Sequence, residues 1–174
     1  MSKWAGNRRA QGEDFFQTPE YAIKPILKYI PQGVKVIFEP TAGLDSISKV
    51  LRAAGFEVIG SDINPRLESI RYIDFLNDEI NFDYDMLIFN PPFSFKNEFL
   101  QKALSMKKPF MFICPVNILE TATRARLFSK HKLSIINLSN RINYIGKYEK
   151  KPFFHSVWVI NDGLGQIHFE EVVL

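Results

Sequence analysis

The sequence predicts an α/β protein built on a mostly parallel sheet, and three observations carry that prediction. Apolar runs of strand length recur along the chain and alternate with stretches of helical periodicity. One such run, Val34-Lys35-Val36-Ile37-Phe38, opens a strand, glycine-bearing turn, helix and strand that end on an acidic residue, Asp62. A second, Met86-Leu87-Ile88-Phe89, leads directly into Asn90-Pro91-Pro92-Phe93. This stiff tetrapeptide then lies at the carboxyl end of a strand, where open α/β sheets place their ligands.

Composition sets the outer bounds. The 174 residues suffice for one domain with a sizeable core, at 46% hydrophobic and 24% charged residues. No apolar run reaches membrane-spanning length, and no signal peptide is evident, so a cytoplasmic protein with no membrane partner is expected. Cys114, the single cysteine, sits in Phe110-Met111-Phe112-Ile113-Cys114 and reads as a core thiol rather than a nucleophile. With one cysteine and three scattered histidines there is no zinc-ligand spacing, and no metal is expected. A net charge of +3 permits a nucleic-acid partner without requiring one.

The elements follow in order. Residues 1–13 read as a flexible basic arm carrying Arg8 and Arg9, and residues 14–174 as a single domain. Thr18 suits an N-cap and Pro19 a first helical position, with a kink expected at Pro25. After the Val34–Phe38 strand come Glu39-Pro40-Thr41-Ala42-Gly43-Leu44-Asp45-Ser46 and a helix whose apolar face is Ile47, Val50, Leu51 and Ala54. Glu57–Ser61 is the second strand. Asp62 lies about twenty positions beyond the glycine turn, the spacing of a carboxylate that accepts from ribose hydroxyls in dinucleotide-type βαβ units. Ile70–Ile73 reads as a third strand ending at Asp74, which could face an adenine amino group. Phe99, Leu100, Ala103 and Leu104 mark a helix, Pro109–Cys114 a strand, Leu119–Ser129 a helix with Arg124 and Arg126, and Leu133–Ile136 a strand. A polar loop holds Lys147, Lys150 and Lys151. Phe154–Ile160 and Gln166–Val173 flank an Asp162-Gly163 turn and read as an antiparallel pair.

The tetrapeptide carries the chemistry. Two prolines remove two backbone donors and fix two φ angles, leaving a rigid loop with bare carbonyls. The Asn90 side-chain oxygen and the Pro91 carbonyl can accept both hydrogens of an exocyclic amine, while Phe93 stacks on the ring that bears it. The competing reading is a plain turn with a core phenylalanine.

Taken together, Asp14-Phe15-Phe16-Gln17-Thr18-Pro19, Glu39-Pro40-Thr41-Ala42-Gly43, Asp62-Ile63, Asp74-Phe75-Leu76, Asn90-Pro91-Pro92-Phe93 and Phe154-His155-Ser156-Val157-Trp158 resemble S-adenosylmethionine-dependent amino-methyltransferases. The resemblance is to the small phage and prophage DNA adenine methyltransferases. It implies a Rossmann-like class I fold: a mostly parallel seven-stranded sheet, helices on both faces and an antiparallel C-terminal hairpin. It implies S-adenosylmethionine as cofactor, with Phe16, Thr18 and Pro19 over its methionine end. Glu39, Pro40, Thr41, Ala42 and Gly43 would border the amino acid moiety, Asp62 and Ile63 the ribose, and Asp74 and Phe75 the adenine. Asn90, Pro91, Pro92 and Phe93 would be catalytic. Arg8, Arg9, Arg124, Arg126, Lys147, Lys150 and Lys151 are candidates for phosphate contacts, although each alone suits a solvated surface.

Two departures stand out. The family's loop carries a second glycine where this chain has Asp45. Aspartate tolerates the left-handed region and can cap a helix, yet its carboxylate would repel the cofactor's own. Weakened affinity, a rearranged loop or an outward-turned side chain are the alternatives. Nor is there room for a separate target-recognition domain, so specificity is expected from loops, the arm, a homodimer or a partner chain. Adenine in DNA is the expected substrate. RNA adenine, protein glutamine and a non-catalytic nucleic-acid-binding descendant are the alternatives.

Overall fold

The computed structural model describes residues 16–145 and 154–172. Arg8, Arg9, Lys147, Lys150 and Lys151 lie outside the described residues, as do Asp14 and Phe15 and the expected 1–13 arm. Eight strands among the described residues form one sheet: β1 (Val36–Glu39), β2 (Glu57–Asp62), β3 (Arg71–Tyr72), β4 (Met86–Phe89), β5 (Phe110–Pro115), β6 (Ser134–Leu138), β7 (Ser156–Ile160) and β8 (Ile167–Glu170). Their order is β3-β2-β1-β4-β5-β7-β6-β8, and every pairing is parallel except those of β7. The helices are α1 (Glu20–Ile23), α2 (Ser46–Ala53), α3 (Lys96–Ser105) and α4 (Ala122–His131). None among the described residues is long and apolar enough to cross a membrane.

The central strands β4 and β5 are buried at every position, as expected of strands covered on both faces. Register identifies the two covers. Phe38, Leu87, Phe89 and Phe112 share one face, because directly paired residues point the same way. Phe99 of α3 packs on Phe89 there, and Phe38, Phe75, Phe99, Phe89 and Phe112 run as a chain of ring contacts. Burying such a ring contributes roughly 1.5–3 kcal/mol. The opposite face carries Trp158, whose indole N–H donates to the Ala22 carbonyl of α1 at 2.9 Å. So the phenylalanine-rich composition is largely core, and it holds β1 and β4 side by side. Chain order reverses between these two strands, which opens a crevice at their carboxyl ends.

Three expectations change. The helix after Thr18 is a four-residue α1 with Pro19 as N-cap and no side-chain cap, followed by a 3-10 segment, Lys24–Tyr29. Pro25 lacks the amide that a continuing α-helix needs, and the Thr18 hydroxyl is engaged elsewhere. The sheet has eight strands, not seven. Finally, β8 does not form a hairpin with β7. It pairs parallel with β6, in the register Ile135↔Ile167 to Leu138↔Glu170. Both edges of β7 are already taken, by β5 and β6. The Asp162–Gly165 turn therefore crosses over the start of β6, where Ser134 donates to Asp162 at 2.7 Å and Gly165 N–H to the Lys132 carbonyl at 3.0 Å. The chain reverses as expected but skips one strand. On β8, Glu170 is tied to Lys28 and Tyr29, whereas Ile167 and Phe169 face solvent.

Candidate active site

β4 ends at Phe89, and Asn90 is held at once from three sides. Its carbonyl accepts from the Thr41 hydroxyl at 2.9 Å. Its side-chain NH2 donates to the Phe16 carbonyl at 2.6 Å and to Thr18 Oγ1 at 3.0 Å. Both donors of the amide are thereby spent, and its Oδ1 is buried with no partner. Phe95 N–H donates to the Pro92 carbonyl at 2.9 Å, closing a 3-10 turn over Phe93–Phe95 that leads into α3. Phe93 is buried, stacked on Phe16 at 4.9 Å between ring centres and 18° between planes, with Tyr144 and Phe154 edge-on. The ring expected to take a base is thus covered by Phe16.

The β1–α2 loop is shaped by its backbone. Gly43 has φ +53 and donates to Asp62 Oδ2 at 3.0 Å, and Ala42 N–H donates to the Ser61 carbonyl at 2.8 Å. Asp45 occupies the left-handed region at φ 68, as a glycine would. It does not cap α2. Its carboxylate turns back to Arg52 at 2.7 Å, with the side chain buried. The charge expected to repel a cofactor is thus paired with Arg52 through Oδ2, while Oδ1 is buried without a partner, and Asp45 is not among the residues that line the cleft. The capping task falls to Glu39, whose carboxylate accepts from the Ser48 backbone at 2.9 Å and from the Ser48 hydroxyl.

These parts enclose a cleft of about 660 Å³, open solvent at its mouth included. Of the expected residues, Phe16, Pro40, Thr41, Gly43, Asp62, Ile63, Phe75, Asn90 and Pro92 line it. Thr18, Glu39 and Ala42 line a small recess behind it, which shares Thr41 and Asn90. Pro19, Asp74, Pro91 and Phe93 line neither. Asp74 is instead turned onto its own loop, accepting from Leu76 N–H at 3.2 Å and Asn77 Nδ2 at 2.8 Å. Burial raises the Asp62 carboxyl, against the Asn64 and Gly43 amides that favour its anion.

Gln17, Asn64, Arg66, Ile73 and Phe99 also line the cleft and were not expected there. Gln17 is the most informative. Its Oε1 accepts from Leu44 N–H at 3.1 Å and from the Ser46 hydroxyl at 3.0 Å, tying the N-terminal segment to the loop. The signal was present: in an extended segment, Gln17 must point opposite Phe16 and Thr18.

Toward β5, Lys96 Nζ sits 3.3 Å from the Phe93 carbonyl. Arg124 is braced by the Asn117 carbonyl at 2.9 Å and Asn97 Oδ1 at 3.3 Å, and Arg126 is exposed on α4. Neither Lys96 nor Arg124 has a carboxylate partner among the described residues. No metal-binding cluster occurs among the described residues either.

Glu39 supports a pH prediction. Burial pushes its carboxyl up to about 8, opposed by the Ser48 donors. The folded state then holds a proton that the unfolded state releases near the ordinary carboxylate value. This stabilisation is complete below that value and is lost as pH rises toward 8. Glu39→Gln keeps an acceptor for Ser48 and does not titrate. Its melting temperature relative to wild type should climb between pH 5 and 8 and be flat below pH 4.

No protein-family model matches the chain, and no curated protein matches it. Solved structures do. A type I restriction-modification methyltransferase subunit from Streptococcus thermophilus superposes with TM-score 0.61 at 13% identity, over 90% of this chain and 47% of that one. A dimethyladenosine transferase from Plasmodium falciparum gives 0.57 at 14%, over 84% of this chain and 62% of that one. A plantazolicin methyltransferase solved with S-adenosylhomocysteine gives 0.51 at 12%, over 89% of this chain and 86% of that one. The chain thus spans about half the length of the streptococcal subunit. At these identities the likeness is one of fold, and the fold of this chain is the Rossmann-like fold of methyltransferases.

Proposed function

We propose that this chain is an S-adenosylmethionine-dependent methyltransferase acting on the exocyclic N6 amine of adenine in DNA. The observation that carries the reading is the Asn90 side chain: both donors are committed to Phe16 and Thr18, while its oxygen is buried and unpartnered. A buried acceptor left open on a residue that lines the cleft is placed to take a donor from a ligand there. An aryl amine supplies one.

The lining of the cleft suits the cofactor in its chemistry. Ligand sites combine apolar walls with a few placed polar groups. Gly43 keeps the turn tight, Asp62 offers a carboxylate toward hydroxyls, and Ile73, Phe75 and Phe99 offer apolar surface for an adenine ring. S-adenosylmethionine brings an electrophilic methyl group on sulfur. Asn90 Oδ1 and the Pro91 carbonyl would accept the two amine hydrogens, turn the nitrogen lone pair toward that methyl group and stabilise the positive charge nitrogen gains; neither oxygen is a base, so the proton released afterwards would pass to solvent. This is orientation and electrostatic stabilisation without a strong base. Phe16, half-buried and backed by the buried rings of Phe93 and Tyr144, offers the face against which a flipped base would stack, returning roughly 1–3 kcal/mol of the unstacking cost.

DNA is favoured by the resemblance to phage and prophage enzymes; Lys96, beside the Phe93 carbonyl, and Arg124, beside Asn97, are candidates for phosphate contacts near the tetrapeptide, and Arg126, exposed further along α4, is another. Arg126→Glu should weaken DNA binding and reduce the salt slope by about 0.9 per lost duplex phosphate contact, leaving cofactor affinity unchanged. A filter-binding series across salt measures both slopes.

Calorimetric titration with S-adenosylmethionine separates an enzyme from a non-catalytic descendant. Saturable binding, followed by transfer of labelled methyl to DNA in preference to RNA or protein, is the expected result. A folded protein that binds no cofactor at millimolar concentration, with or without DNA, refutes the reading.

A further inference from the structure

We infer that Thr18 is a positioning residue for the catalytic amide: it fixes the plane of Asn90 so that Oδ1 faces the incoming amine. This deepens the methyl-transfer reading and rests on it.

The geometry is specific. Thr18 is 2% exposed and does not line the main cleft; it reaches only the recess that it shares with Asn90. Its Oγ1 lies 3.0 Å from Asn90 Nδ2, across 72 residues of sequence. The Phe16 carbonyl, 2.6 Å from the same nitrogen, can only accept. It therefore decides which end of the amide faces it, since a reversed amide would set oxygen against oxygen. Thr18 takes the second hydrogen. With both hydrogens placed, the amide plane cannot swing about its last torsion, and the oxygen is held toward the substrate. Without Thr18, one buried N–H is left unpaired, and the plane is free to turn in search of a partner.

The segment that carries Thr18 is itself braced. Gln17 forms an antiparallel bridge with Ile145, with N–H···O distances of 3.2 and 2.9 Å. The Phe16 carbonyl and the Thr18 hydroxyl address Asn90, while the intervening Gln17 side chain addresses the Leu44–Ser46 loop. One short stretch thus connects the cofactor loop to the amine-holding group. A hydroxyl pointing into the cofactor cleft would predict a role in cofactor affinity. A hydroxyl on the amide predicts a role in the chemical step.

The test compares Thr18→Val, which keeps the shape and removes the acceptor, with Thr18→Ser, which restores it. Steady-state methyl transfer to adenine-containing DNA is measured at saturating cofactor, alongside calorimetric cofactor titration and thermal melting of each variant. Thr18→Val should lower kcat by tenfold to a hundredfold while cofactor Kd stays within threefold, and Thr18→Ser should recover most of kcat. A Thr18→Val enzyme with full kcat, or one whose loss lies wholly in cofactor Kd, overturns the assignment. A second readout does not depend on activity. In the nitrogen NMR spectrum, the Asn90 side-chain NH2 pair, identified by its absence in Asn90→Asp, should show slowed hydrogen exchange in wild type and Thr18→Ser. Exchange should be at least tenfold faster in Thr18→Val. Unchanged exchange in the valine variant refutes the positioning role even if wild type transfers no methyl group. An inactive wild type with the predicted exchange pattern refutes only the reaction.

Discussion

Replacing Asn90 by alanine should lower methyl transfer at saturating cofactor and DNA by about a hundredfold to a thousandfold, the usual cost of removing one preorganised group that stabilises developing charge. The effect should fall on kcat, because the side-chain oxygen meets the amine most strongly as the nitrogen gains positive charge. Cofactor affinity should change little, since the amide is assigned to the amine and not to the cofactor. The fold should survive. Alanine leaves the Phe16 carbonyl and the Thr18 hydroxyl without their shared donor, a loss of about 1–3 kcal/mol. Stopped-time assays with labelled cofactor give kcat, and chemical denaturation gives the stability change. Full activity in the alanine variant would remove the amine-holding role.

Gly43→Ala should weaken cofactor binding at least tenfold. Two effects combine. The residue has φ +53, a region that costs an ordinary L-residue roughly 1–2 kcal/mol. Its new methyl would also collide with the Gln17 side-chain amide, whose oxygen is tied to Leu44 and Ser46. Relief requires moving either the loop or Gln17, and both shape the cleft. Gly55→Ala is the internal control. It has φ +96 but nothing within 4 Å of a new methyl, and it lies outside the cleft. It should lose stability to backbone strain and bind cofactor as wild type does. Equal cofactor affinity in the two variants would show that the Gly43 turn does not shape the site.

What the sequence made legible follows from how local each feature is. The position of Asn90–Phe93 was readable because the Met86–Phe89 run is apolar throughout and a double proline must end it. The left-handed backbone at Asp45 was readable from the turn chemistry of aspartate. Its ion pair was not, since Arg52 lies seven positions on, at the far end of α2. Thr18 was misleading: Thr-Pro ahead of an apolar stripe is a helix-start signature, and only the tertiary fold offers its hydroxyl the Asn90 amide instead. Gln17 was hidden between two residues that drew attention. The placement of β8 was not readable at all, because alternation of apolar and polar residues identifies a strand but not the edge to which it adds. Asp74 was carried over as a partner for adenine, and its carboxylate is engaged by its own loop.

In the proposed reaction the methyl acceptor is an amine of adenine. The most direct measurement is to methylate mixed-sequence DNA with methyl-labelled S-adenosylmethionine, digest it to nucleosides and resolve the labelled product by mass spectrometry. Label is expected in N6-methyldeoxyadenosine and should be lost with the Asn90→Ala protein. Label on a ring carbon, on cytosine or on the protein itself, with none on adenine, would contradict that reaction.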